Sequence, residues 1–189
     1  MSISYCMENN QPEDITASPA VLEMLTVANE YCLFYEKADA YPMQDILDYF
    51  QKIAPLIYLK GSLLPGMQEE DPGPGERFVT EEQWESIFKV LRDKFGKNDI
   101  YYTHDHNHDS VESSLSDNMA DIYQDMKDFI MLYQKNTLVA RQQAIILIRG
   151  LFRSRWGPAL LHGLAAVHQI LFHEDISPDL LSDDDQWLA

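Results

Sequence analysis

Apolar residues recur every three or four positions through successive stretches of this chain, and no stretch of useful length alternates apolar with polar residues. A helix turns ~100° per residue, so that spacing lays a stripe along one helical side, whereas a sheet would need a period of two. The clearest stripe begins near Ser116 and carries Met119, Ile122, Tyr123, Met126, Ile130 and Tyr133. An earlier one, Val21, Leu22, Leu25, Ala28, Cys32 and Tyr35, follows Ser18 and Pro19, a capping hydroxyl and a ring that pre-sets helical φ, and predicts a helix to about Lys37. Pro42 opens a second helix through Ile46, Tyr49, Phe50, Ile53 and Ala54; Pro55 removes a backbone donor and is expected to kink it or start a new segment, with residues 56–64 continuing helically. Thr80 with Gln83 forms a capping-box pattern for a third helix with Trp84, Ile87, Phe88 and Leu91 on its buried side, closed by Gly96.

From about Thr137 the pattern changes. Leu138, Val139, Ala144, Ile145, Ile146, Leu147, Ile148, Leu151 and Phe152 point in almost every direction around a helix axis, as they do in a buried, central helix. Gly157 and Pro158 are expected to kink or interrupt it, after which Leu160, Leu161, Leu164, Ala165, Val167 and Leu171 continue to about His173. Residues 100–102 are short and β-prone, and the polar run 103–112 reads as loop, as does the Gly- and Pro-rich acidic stretch 66–77. The fold class is therefore all-α, a helical bundle of about six helices with a central buried helix. Its predicted layout is a flexible N-terminal tail at 1–17, a single helical domain at 18–174 and an acidic C-terminal tail at 175–189.

Charge and composition restrict the partners. With 14 Lys and Arg against 31 Asp and Glu, the net charge of -17 repels phosphate backbones, which argues against nucleic acid and against an anionic membrane. Residues 1–14 have neither a basic flank nor an apolar run, and Arg141, Arg149, Arg153 and Arg155 interrupt the most apolar region, so neither a signal peptide nor a membrane span is expected. Cys6 and Cys32 make no disulfide framework and read as reduced thiols. A soluble cytoplasmic protein is the resulting expectation. No Gly-rich phosphate loop, nucleophile elbow or Ser/Lys pair is present, and no cofactor is implied.

The most informative feature is a mismatch of polarity. Arg149 and Arg153 lie four apart on one side of a helix that otherwise reads as buried, and a buried guanidinium needs an anionic partner. Asp117, Asp121, Asp125 and Asp128 supply a row of carboxylates on the helix before it, opposite that helix's apolar stripe. One reading is a solvated acidic face. The other places this helix between neighbours, so that some aspartates pair with Arg149 and Arg153 beside Trp156, as a buried charge network or a binding site.

A metal-dependent version would use the same carboxylates. Glu81, Glu82 and Glu85 reproduce the paired-Glu start of the all-helical nucleotide pyrophosphohydrolases, but the downstream Glu and Asp three apart are missing and capping explains Glu81 and Glu82. The run His104, Asp105, His106, Asn107, His108, Asp109 reads as a solvated loop rather than a metal site, because it lacks the spaced, rigid ligands of a structural site. His162 and His168 read as partly buried packing residues. Tyr31, Tyr35, Tyr41, Tyr49, Tyr58, Trp84, Trp156 and Trp187 serve either core or groove.

Four segments together, Leu25–Glu36 (LTVANEYCLFYE), Phe78–Trp84 (FVTEEQW), Ser114–Asp128 (SLSDNMADIYQDMKD) and Phe152–His168 with Arg155, Trp156 and Gly157, make the chain resemble an uncharacterised bacterial family of helical proteins, domain of unknown function 5063. The resemblance covers most of the chain from the first helix to His173 and implies an α-helical fold with no assigned activity. The functional expectation is a protein-interaction module without catalytic activity, binding a protein partner in a helix-lined groove. The alternative is a divalent-metal-dependent hydrolase or phosphate-ligand binder using Asp117, Asp121 and Asp125 with Arg149 and Arg153.

Overall fold

The computed structural model describes residues 14–67, 75–104 and 107–172. Six α-helices follow in order: α1 (Pro19–Tyr35), α2 (Met43–Ser62), α3 (Glu81–Phe95), α4 (Leu115–Tyr133), α5 (Leu138–Leu151) and α6 (Gly157–Phe172). A π-helical turn, Phe152–Trp156, joins α5 to α6. Between α3 and α4 stand strands β1 (Ile100–His104) and β2 (Ser110–Ser114), an antiparallel pair with Ile100 opposite Ser114 and His104 opposite Ser110. The β-prone residues 100–102 therefore belong to a hairpin that also takes in much of the run read as loop.

Local signals place most helix ends. Gln83 N donates to Thr80 Oγ1 at 3.2 Å and Thr80 N to Gln83 Oε1 at 3.1 Å, completing the capping box of α3. Gly96 ends that helix at φ 51°, a left-handed conformation that favours glycine. Pro19 occupies the first turn of α1, where a missing N–H costs nothing, although the Ser18 hydroxyl makes no capping bond. Pro55 does not break α2. Its ring faces solvent while Ile53, Ala54 and Ile57 are buried on both sides of it, so core packing holds the helix across the missing hydrogen bond. The expected interruption before α6 takes the form of the π turn, because Pro158 has no N–H to donate to the preceding turn and a widened turn accommodates the loss.

α4, not α5, is the central helix. It packs against α1, α3, α5 and α6, and its Ala120, Ile122, Tyr123 and Asp125, which point to four different sides, are all buried. α5 buries Ala144, Ile145 and Ile148 but leaves Leu138 and Val139 more than half exposed. An all-apolar circumference was not a sufficient sign of centrality, since folded surfaces carry many apolar side chains. His162 and His168, expected to pack, are both exposed.

Buried polar links set the register of α4. Tyr31 donates to the Met119 carbonyl at 3.1 Å across the α1–α4 contact. At the amino end of α4, Asp99 Oδ1 accepts from Ser116 N at 2.7 Å and Oδ2 from the hydroxyls of Ser114 and Ser116 at 2.9 Å each. This buried carboxylate ties the base of the hairpin to the positive end of the helix dipole. Within the segment expected to be a flexible tail, Ile15–Ala17 form a 3-10 turn with Thr16 buried, and the Thr16 carbonyl accepts from Tyr133 Oη at 2.8 Å. Residues 1–13 and 173–189, which hold Cys6, Trp187 and the predicted acidic tail, lie outside the described residues.

Candidate functional site

Because α4 has neighbours on several sides, the carboxylates opposite its apolar stripe do not all reach water. Asp125 is 1% exposed, Asp121 and Asp128 are half-buried and Asp117 is exposed. Two guanidiniums answer them. Arg155 places Nη2 3.1 Å from Asp121 Oδ1 and Nη1 3.4 Å from Asp125 Oδ1. Arg77 places Nη1 3.7 Å from Asp125 Oδ1 and 3.5 Å from Asp128 Oδ2. The four charged side chains Asp121, Asp125, Asp128 and Arg155, with Arg77 at the outer side, form a polar seam between α4, the π turn and the segment leading into α3.

The same aspartates position the seam. Asp128 Oδ1 accepts from the amides of Phe78 at 2.8 Å and Val79 at 3.0 Å, which fixes the chain just before the α3 cap and aims Arg77 at α4. Asp121 Oδ1 accepts from Trp84 Nε1 at 3.0 Å, and the Trp84 ring stacks on Phe88 at 5.0 Å. Arg155 depends on the π turn, whose extra residue changes the angular spacing after Leu151 and turns Arg155, not Arg153, toward α4.

Of the residues expected to form a network, Asp121 and Asp125 are brought together. Arg149 and Arg153 are not: Arg153 is exposed, and the Arg149 guanidinium lies beside Gly66, away from the aspartates. Arg149 lies within α5, ahead of the π turn, while Arg153 lies within that turn, so the two do not present one shared guanidinium face to α4. Asp117 makes no ion pair among the described residues, and partial withdrawal from water, together with the neighbouring Asp121, raises its pKa although its surface is exposed. Trp156 is buried as packing, donating Nε1 to the Ile148 carbonyl at 3.0 Å. Arg77 was not singled out in sequence, since it sits in a Gly- and Pro-rich stretch with no periodicity. Arg155 carried a signal only as part of the Arg-Trp-Gly motif.

Asp125 stands in the wall of a cavity of about 130 Å³. Its other walls are apolar, from Phe129 and Leu132 of α4 and Ala144, Leu147, Ile148 and Leu151 of α5, with Gly75, Glu76, Arg77 and Asp128 on one side. The segment 75–77 is thus packed onto the bundle, where a Cβ on Gly75 would stand 2.9 Å from Leu147 Cδ1. Among the described residues, neither Asp125 oxygen accepts a hydrogen bond. The ion-pair distances of both arginines run to Oδ1. Burial pushes the Asp125 carboxyl up to about 6, with Arg155 and Arg77 opposing the rise. Near neutral pH it is a largely ionised carboxylate in mostly apolar surroundings.

Among the described residues, no group of three or more His, Cys, Asp or Glu side chains is placed to share a metal ion. In the histidine run, His104 ends β1 and His108 takes a left-handed φ of 66° at the hairpin, while Asp105 and His106 lie outside the described residues. No helix among the described residues is long and apolar enough to cross a membrane.

Comparison with known proteins agrees with the fold. No curated protein matches the chain. The crystal structure of protein BF1032 from Bacteroides fragilis is similar at 31% identity and a TM-score of 0.73, covering 82% of this chain and 94% of that one. The model of the family described as domain of unknown function DUF5063 matches residues 16–173, which takes in all six helices and the whole of the seam. The chain belongs to the DUF5063 family.

Proposed function

We propose that this domain is a binding module that holds a small ligand in the Asp125 cavity. The observation that carries the reading is the carboxyl itself. A charge withdrawn from water is tolerated when hydrogen bonds satisfy its lone pairs, and Asp125 has two nearby cations yet no hydrogen bond to either oxygen. An apolar cavity with one convergent, perturbed polar group is the usual form of a ligand site. The seam supplies no nucleophile beside a base, which favours recognition over covalent chemistry. The reading is tested by methyl NMR during titration with 1-butanol, a neutral probe of suitable size. Saturable shifts confined to Leu132, Leu147, Ile148 and Leu151 with this probe or with its charged analogues n-butylammonium and butyrate support it, and unchanged spectra with all three at millimolar concentration overturn it.

A protein partner is a second reading, favoured by one surface. Leu22 and Leu33 share one side of α1, and Leu56 and Leu59 share one side of α2, continued by Leu63 just past its end, with exposures from 39% to 53%. The Glu23–Lys60 ion pair at 2.8 Å joins the two helices at that level. Such a face suits the apolar stripe of a partner's amphipathic helix. If Leu59→Gln with Leu63→Gln leaves the capture of a partner unchanged, this face is not the contact.

A further inference from the structure

We propose that the Asp125 cavity selects a small organic cation, a primary ammonium or amidinium with a short apolar tail, an inference that rests on reading the cavity as a binding site. The head group follows from what the carboxyl lacks. Arg77 and Arg155 both approach Asp125 through Oδ1, at 3.7 and 3.4 Å, too far for a good hydrogen bond, and among the described residues Oδ2 accepts no hydrogen bond. A ligand carrying several N–H donors on one positive centre meets both needs at once, supplying charge and hydrogen bonds to the same buried group.

The charge of the walls points the same way. Glu76, Asp125 and Asp128 face Arg77 around the cavity, three acids to one base. Arg77 is already shared between Asp125 and Asp128, and Arg155 is shared between Asp121 and Asp125 without lining the cavity. Asp128 spends Oδ1 on the backbone amides of Phe78 and Val79, and Glu76 is paired with Lys135, so Asp125 is the acid left to receive a ligand. A phosphate or carboxylate would have to approach three carboxylates to reach one committed guanidinium. The anion version of the site is therefore disfavoured by the same geometry that favours a cation.

The tail follows from size and lining. Phe129, Leu147, Ile148 and Leu151 offer only apolar surface, and an apolar cavity near 150 Å³ is known to take a benzene-sized guest. With about 130 Å³ available, a head group plus roughly four carbons fills the space. Arg77, whose side chain is 50% exposed, stands at the outer side of the seam where such a ligand would enter and can swing aside without leaving water.

Isothermal titration of the full chain with n-butylammonium, 1-butanol and butyrate, at pH 7.5 and fixed ionic strength, tests the charge selection with three ligands of nearly one shape. The expected order is butylammonium at least about tenfold tighter than butanol, with butyrate weakest, and Asp125→Asn reduces butylammonium to the level of butanol. Arg77→Gln, which removes the competing cation, is expected to tighten butylammonium. If butanol or butyrate binds as well as butylammonium, the cation assignment falls while the cavity stands as a binding site. If none of the three binds, both readings fall. If butylammonium binds the Asp125→Asn chain unchanged, the cation sits elsewhere and the assignment is overturned.

Discussion

The indole of Trp156 lies against the backbone of Gly61, so close that a Cβ added to the glycine would stand 2.2 Å from Trp156 Cη2. The contact joins α2 to the π turn, and Trp156 is fully buried there. It helps hold in place the turn that carries Arg155 to the aspartates of α4.

Gly61→Ala is accordingly expected to destabilise the domain. In an unconstrained helix interior the same change gains roughly 1 kcal/mol from propensity. Here the added methyl must displace a buried ring, and overpacking costs about 1–3 kcal/mol. The denaturation midpoint in urea decides the sign, and an unchanged or raised midpoint shows that Trp156 repacks freely.

Asp125 is expected to make the domain less stable as pH rises. Its folded pKa, about 6, lies above the ordinary aspartate value of 3.8, so the folded state holds the proton more tightly than the unfolded chain. Stability from this group is therefore fullest below pH ~4 and is lost as pH climbs to ~6, by about 3 kcal/mol. Asp125→Asn removes that dependence. Urea unfolding of both proteins from pH 4 to 8 should show the variant gaining on the parent across this window and running parallel to it above. A constant difference throughout contradicts the burial-driven shift.

Arg155→Met is expected to cost about 2–4 kcal/mol at pH 7, because it leaves Asp125 with only Arg77 nearby and removes the cation from Asp121. Arg153→Met, at an exposed position, is expected to stay within about 0.5 kcal/mol of the parent. Equal effects from the two substitutions would show that the π turn does not select between them.

Asp99→Ala removes a buried acceptor of three hydrogen bonds, from Ser116 N and the hydroxyls of Ser114 and Ser116. A loss of about 2–4 kcal/mol follows from one helix-capping bond and two hydroxyl hydrogen bonds, one of them from the buried Ser116. Amide exchange should rise first at Ser116 and along β2; uniform exchange behaviour would mean that the hairpin base does not depend on this carboxylate.

Helix content, the capping box at Thr80 and the stop at Gly96 were legible in sequence because they depend on residues three or four apart, whose interactions survive in any tertiary setting. The row of aspartates was legible for the same reason, and so was the need for a cationic partner. Which helix became the centre, and which arginines faced Asp121 and Asp125, depended on contacts between residues tens of positions apart and on one irregular turn. Periodicity counts angles around a regular axis, and a π turn after Leu151 shifts every later angle, exchanging Arg153 for Arg155. Arg77 reaches Asp125 only because Asp128 grips the amides of Phe78 and Val79 across the fold. Short-range spacing thus determined the elements and the kind of chemistry they needed, while long-range packing decided which side chains supplied it, since burial and charge pairing are properties of neighbours in space.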